Sequence, residues 1–368
     1  MDKALRRRLV RSLNAARGDH SSKDSIRLAH GPQRRQRQLA ERNWLDAHRA
    51  KVLPGFAEAC EVDPATMKPV LVPVTAGTPD ADLFRAATLL WSVPVSRGYG
   101  RRMRYLVRDD ANGKIIGLFA LGDPVFNLRG RDEWIGWDVA ARRERISSVM
   151  DLYICGAVPP YNTLLGSKLV ASLATSQEVV DRFRERYAGR RGIISGIVKP
   201  AELLVITTTS ALGKSSLYNR LKLPTDPVTE FHEIGYTQGW GHFSVGDRLF
   251  MELRDHLLSE DHRYANGHQF GTGPNWRLRT IRAAMKSLGV NDAFLNHGIQ
   301  RQIFATELSD TSRKQLREGI KRRRVRRPSA DEIAEAGLAR WVRPRYARLG
   351  IPAWSRADLE RLLDGDAD

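Results

Sequence analysis

One ordering of apolar patterns limits the fold of this chain more than any other feature. RMRYLVRD and KIIGLFALG are joined by Asp109-Asp110-Ala111-Asn112-Gly113, whose Asn-Gly pair suits a tight antiparallel turn and predicts a hairpin. VMDLYICGAV reads as a third strand, broken by Pro159-Pro160-Tyr161-Asn162. LLGSKLVASLATSQEVVDRFRERY then reads as one long helix, with Leu165, Leu169, Leu173, Val179 and Phe183 near one face. The strand ELLVITTTS, the short helix KSSLYNRLKL and the strand FHEIGYTQGW complete a β-β-β-α-β-α-β order. That order predicts an α+β fold, a mixed sheet flanked by helices.

The flanks divide the chain into three stretches. Residues 1–64 are an arginine-rich helical arm, with Leu39, Trp44, Leu45 and Leu53 expected on one side. Residues 65–245 hold the sheet, preceded by the extended Lys68–Pro73 and the amphipathic DADLFRAATLLWSVP, which ends at Pro94. Residues 246–368 read as a helical, basic extension, with DRLFMELRDHLL and NWRLRTIRAAMKSLG as its clearest helices. Two cysteines, Cys60 and Cys155, make neither a disulfide framework nor a structural zinc site, which points to a reducing compartment. No apolar h-region follows the N-terminal charges and no eighteen apolar residues run together, so the expectation is a cytoplasmic protein without a membrane partner.

Sixty Lys and Arg against 42 Asp and Glu give a net charge of +18, a field that gathers polyanions. Solvated helix faces account for some of this, but the charge is clustered at Arg34–Arg37, Arg97–Arg104, Arg142–Arg145 and Arg313–Arg327, which favours nucleic acid, and DNA first, as the partner. The candidate contacts are Arg101, Arg102, Arg277, Arg279, Arg322, Arg323 and Arg324 on phosphates, with Trp134 and Trp137, expected to be partly exposed, stacking on bases.

Three features bear on chemistry. Gly213-Lys214-Ser215-Ser216 imitates a phosphate-binding loop, but the glycine required five positions earlier is Thr208, so no Walker loop is present. The turn Leu164-Leu165-Gly166-Ser167-Lys168 opens a helix after a strand, where free backbone N–H groups, a glycine and a lysine suit a pyrophosphate; Gly166 serves equally as a close helix–sheet contact. Asp123 and Asp151 lie on or just beyond apolar strands, where an unpaired charge needs a partner or a role, so they are the candidate bases. The histidines lack metal-ligand spacing, and no metal ligands are assigned.

The element order, the Leu164–Lys168 turn and Tyr218 resemble the GNAT acyltransferase fold. In that superfamily the loop after the fourth strand cradles the coenzyme A pyrophosphate, and a tyrosine after the fifth strand protonates the leaving thiolate. The resemblance therefore implies acyl-CoA as cofactor, Leu164, Leu165, Gly166, Ser167 and Lys168 as its cradle, and Tyr218 as the acid. Asn162–Ser167 departs from the superfamily's Gln/Arg-x-x-Gly-x-Gly/Ala loop, with one glycine and no arginine. A tyrosine packed in the core is the alternative role for Tyr218.

Longer strings resemble a second family: Ser96-Arg97-Gly98-Tyr99-Gly100, Arg131–Asp138 (RDEWIGWD), Pro159–Asn162 (PPYN), Thr209–Leu221 (TSALGKSSLYNRL) and Gly273–Arg279 (GPNWRLR). These are similar to the Druantia anti-phage DruA family over roughly residues 65–350. The likeness implies a defence context with other defence proteins as partners, and no established chemistry. Three functions stay open: acyl transfer to an amine of a base or protein, a non-catalytic DNA-binding component of a defence complex, and a carboxylate-metal nuclease or nickase.

Overall fold

The structure, a computed structural model, describes residues 2–18, 20, 22–95, 100–192, 196–265, 276–320 and 325–365. It is α+β, and its centre is a seven-stranded mixed sheet. The strands are β1 Pro69–Pro73, β2 Arg102–Asp109, β3 Ile115–Gly122, β4 Val149–Ala157, β5 Val205–Thr209, β6 Lys222–Leu223, β7 Thr229–Glu230, β8 His232–Tyr236 and β9 Gln302–Glu307. The order across the sheet is β1-β2-β3-β4-β5-β9-β8, and β6 and β7 form a separate two-stranded ribbon. β1 to β4 are antiparallel neighbours, β4 and β5 pair in parallel, and β9 lies antiparallel between β5 and β8.

The β2–β3 hairpin turns as expected at Asn112-Gly113, where Gly113 has φ +73°. β3 is buried along its whole length, which explains why its sequence is continuously apolar rather than alternating: helices cover both faces of the sheet. One face carries α6 Gly166–Leu173, α7 Gln177–Tyr187 and α11 Ala330–Gly337, around Tyr105, Phe119, Leu169, Phe183 and Ile333. The other carries α2 Lys23–Val52, α3 Pro79–Thr88 and α13 Arg356–Asp364, around Leu45, Phe84, Leu118, Ile154 and Leu359. A third core joins the N-terminal α1 Lys3–Ala15 to α8 Asp247–Ser259 and α9 Trp276–Ser287 through Leu5, Leu9, Leu13, Phe250 and Ile281. Each such leucine contributes about 1.5–3 kcal/mol of burial, enough to hold the arm on the body.

Several expectations are corrected. The long helix is two, α6 and α7, because Thr175 and Ser176 interrupt it: Thr175 Oγ1 donates to Ser172 O and Ser176 stands at the N-cap of α7. KSSLYNRLKL is a turn rather than a helix, since Ser215 Oγ accepts from the backbone N–H groups of Leu217 and Tyr218 and Arg220 takes a positive φ of 58°. The extension from residue 246, expected to be helical, contains the strand β9, which lies inside the sheet between β5 and β8. Leu39 points to solvent, 67% exposed, while Leu45 and Leu53 are buried. The remaining helices, α4 Arg129–Ile135, α5 Val139–Arg145, α10 Ser312–Glu318 and α12 Arg343–Leu349, are short. Among the described residues no helix is long and apolar enough to cross a membrane.

Candidate functional site

The parallel pair β4–β5 forms a fork. It pairs only across Val149–Asp151 and Val205–Thr207; beyond that row the strands separate, with a register irregularity in β4 next to Leu152. Asp151 stands in the last paired row, where Thr207 Oγ1 donates to its Oδ1 at 3.2 Å. Burial pushes its carboxyl from 3.8 up to about 6, against the opposing pull of the Thr207 hydroxyl and the Arg131 guanidinium. Tyr218 reaches the same fork from the Ala211–Arg220 turn: its ring lies against Phe231 and Phe304, and its hydroxyl is 3.3 Å from Thr208 Oγ1. Burial, then the neighbouring Cys155 thiol, hold the phenol well above its ordinary range, and burial pushes Cys155 up to about 12. Asp151 and Tyr218 therefore bond to adjacent threonines of β5 at the fork, one a carboxyl raised by burial and the other a buried phenol.

Asp123 does not join them as a free base. Both of its oxygens are taken by Arg101, whose backbone N–H and Nε donate at 2.9 and 2.7 Å. Such a paired carboxylate orders the β2 entrance rather than accepting a proton from a substrate.

The Leu164–Lys168 turn is occupied by internal bonds. Lys168 Nζ donates to the carbonyls of Leu217 and Asn219, and Ser167 Oγ accepts from the N–H of Ala157. Leu164 is buried and Leu165 takes a left-handed φ of 59°. A Cβ at Gly166 would lie 2.6 Å from Tyr161 O, so this glycine serves close packing of the turn on the helix. In this arrangement Lys168, the one cationic side chain of the expected pyrophosphate cradle, is engaged by backbone carbonyls. Among the described residues no group of three His, Cys, Asp or Glu side chains could hold a metal ion.

The aromatic and basic candidates separate as well. Trp137 is buried, contrary to expectation, because its Nε1 donates to Asp132 Oδ1 inside an ionic knot with Arg131 and Arg142. Trp134 is half-buried beneath the Arg313 guanidinium. Arg277 pairs with Asp247, donates to Val245 O and lies over Phe250; Arg279 on the same helix is exposed. Arg322, Arg323 and Arg324 lie outside the described residues.

Arg101 and Arg102 belong to a wider basic face. Three guanidiniums, Arg101, Arg186 and Arg190, stand 5.3, 5.9 and 6.0 Å from the Tyr187 ring. Lys199 donates to Arg143 O and is held below its usual range by burial and by Arg101. The nearby carboxylates are already engaged: Asp123 by Arg101, Glu144 by Arg145, Glu185 by Arg182, and Asp181 and Glu202 by Arg184. Arg143, Arg186, Arg190 and Arg191 are thus exposed cations without an acid to pair with among the described residues. Arg102 Nε is buried without an acceptor among the described residues. The arginines of α7 and of the turn after it were not singled out from sequence, although the apolar Val179, Val180, Phe183 and Tyr187 fix the helix's inner face and leave Arg186 outside, with Arg190 just beyond the helix end.

Comparison with known proteins bears on this arrangement. The family model described as "Druantia protein DruA" matches residues 20–318. A curated Druantia protein DruA from Escherichia coli (strain UMEA 4076-1) is 48% identical over 349 residues, covering 94% of this chain and 86% of that protein. No solved structure matches.

Proposed function

The chain belongs to the Druantia protein DruA family, and on that premise we propose that it serves anti-phage defence as a DNA-binding component. The observation that carries this reading is the face around Tyr187, where arginines project beside carboxylates that other arginines have already neutralised. A phosphate backbone supplies the missing anions, and guanidinium forks suit its oxygens. The contact is with backbone and not with base edges, so affinity should be indifferent to duplex sequence and steep in salt. Replacing Arg143, Arg186 and Arg190 together with alanine should weaken binding to unrelated duplexes alike and flatten the salt slope by about 2.7, at about 0.9 per lost contact. An unchanged slope would refute this assignment.

A second reading, acyl transfer by a GNAT-like core, draws support from one observation: Asp151 and Tyr218 lie at the same strand fork, with a carboxyl that titrates near 6. Ligands of such sheets favour the carboxyl ends of parallel strands, and β4–β5 is the parallel pair. This reading requires the Ala211–Arg220 turn to release Lys168. Acetyl-CoA at a hundred times its dissociation constant would then stabilise the protein by about 2.7 kcal/mol. A melting curve unmoved by acetyl-CoA removes it.

A further inference from the structure

The loop that follows β3 carries two exposed apolar side chains, Val125 and Phe126, 47% and 43% accessible. Their backbone is held from beneath by a guanidinium that has no solvent contact at all. Arg131 Nη1 donates to Val125 O at 2.7 Å and Nη2 to Phe126 O at 2.8 Å, while Nε and Nη2 both reach Asp132 Oδ1. Asp132 in turn accepts from Leu128 N, Trp137 Nε1 and Arg142 Nη1. The knot fixes the loop so that its carbonyls face inward and its apolar side chains face solvent. Arg142, held by Asp132, lies 4.5 Å from the centre of the Phe126 ring, which fixes the ring's orientation.

Phe126 also borders the basic face. Arg143 follows Arg142 in sequence, Lys199 donates to the Arg143 carbonyl, and Asp123, three residues before Phe126, is the partner of Arg101. An exposed, pre-oriented aromatic ring at the border of a face that carries unpaired arginines is how sequence-tolerant proteins grip unpaired bases: the ring takes a base face and the cations of that face take the flanking phosphates. Two apolar side chains make a patch the size of one base, too small for the core of a protein interface.

We propose that Phe126 is a stacking platform for an unpaired nucleobase, so that the protein prefers single-stranded or locally opened DNA to intact duplex. The proposal rests on the DNA-binding reading and adds the ligand's strandedness to it. Its test is fluorescence anisotropy with a labelled oligonucleotide, single-stranded and annealed to its complement, for the full chain and for Phe126→Ala and Phe126→Tyr. The expected result is a single-strand affinity lowered about 5- to 150-fold by Phe126→Ala, duplex affinity within about twofold of wild type, and recovery in Phe126→Tyr. Melting curves of the variants accompany the titrations, and wild-type-like melting keeps a binding loss assigned to the ring. Wild-type protein that binds neither form overturns the DNA-binding reading and this inference with it. Protein that binds both forms equally, with Phe126→Ala unaffected or weakened alike on each, overturns this inference alone.

Discussion

The raised carboxyl of Asp151 gives a stability prediction with a definite sign. In the unfolded chain the group ionises at 3.8 and in the fold at about 6. The unfolded state therefore holds fewer protons than the folded state between those values, and wild-type stability falls as pH rises through that window. Asp151→Asn removes the ionisation and keeps an oxygen to accept from Thr207 Oγ1. The linkage relation puts the advantage of the variant at about 1 kcal/mol at pH 4.5 and about 3 kcal/mol at pH 7.5. An unfolding entropy of about 2.1 cal/mol/K per residue gives the 368-residue chain roughly 0.8 kcal/mol/K. Thermal melts should thus place the variant just over 1 °C above wild type at pH 4.5 and about 4 °C above it at pH 7.5. A gap that does not widen with pH, or a variant that melts lower at pH 7.5, refutes the reasoning. It would mean that Arg131 holds the carboxylate ionised in the fold.

Two further outcomes follow from the packing. Arg131→Ala leaves the Val125 and Phe126 carbonyls without their donor and strips Asp132 of one cation, so it should cost about 3–5 kcal/mol and lower the melting temperature by roughly 4–6 °C, while Arg131→Lys, with its single ammonium, falls in between. Tyr218→Phe keeps the ring between Phe231 and Phe304 and removes the hydroxyl's long contact with Thr208 and its weak bond with the Cys155 thiol, so it should shift stability by no more than about 1 kcal/mol; a larger loss in a chemical unfolding titration would show that the hydroxyl carries more of the fork than its geometry suggests.

What the sequence made legible was local. The β2–β3 hairpin announces itself in Asn112-Gly113 between two apolar runs, and α3 in its apolar spacing after Pro79. β9 was missed because its six residues pair with Val205–Thr209 and His232–Tyr236, far away in sequence, and nothing within six residues announces such partners. The break between α6 and α7 was written in Thr175-Ser176, a good N-cap pair that helical periodicity overrode. In the same way Asp151 was picked out by being an acid on an apolar strand, and the fork that surrounds it required knowing where β5 lies. Phe126 carried no signal of its own, since its exposure depends on Arg131 reaching back five residues to its carbonyl.

The basic face shows why density of arginine in a sequence does not locate free charge. Arg313–Arg327 is the densest run, yet Arg313 pairs with Glu307, Arg317 donates to Ile135 O, and Arg327 is buried between Thr175 O and Thr229 Oγ1, where burial pushes it down to about 10. Those described side chains hold the C-terminal extension on the sheet. The arginines of α7 and the turn after it are more thinly spread, but Arg182 and Arg184 consume Glu185, Asp181 and Glu202, and so Arg186 and Arg190 are left over. Free charge is a remainder after pairing, and pairing is decided by the fold. It follows that neutralising the α7 remainder should weaken DNA binding with little cost to stability, whereas neutralising Arg313 or Arg327 should cost stability first, because their partners lie within the protein.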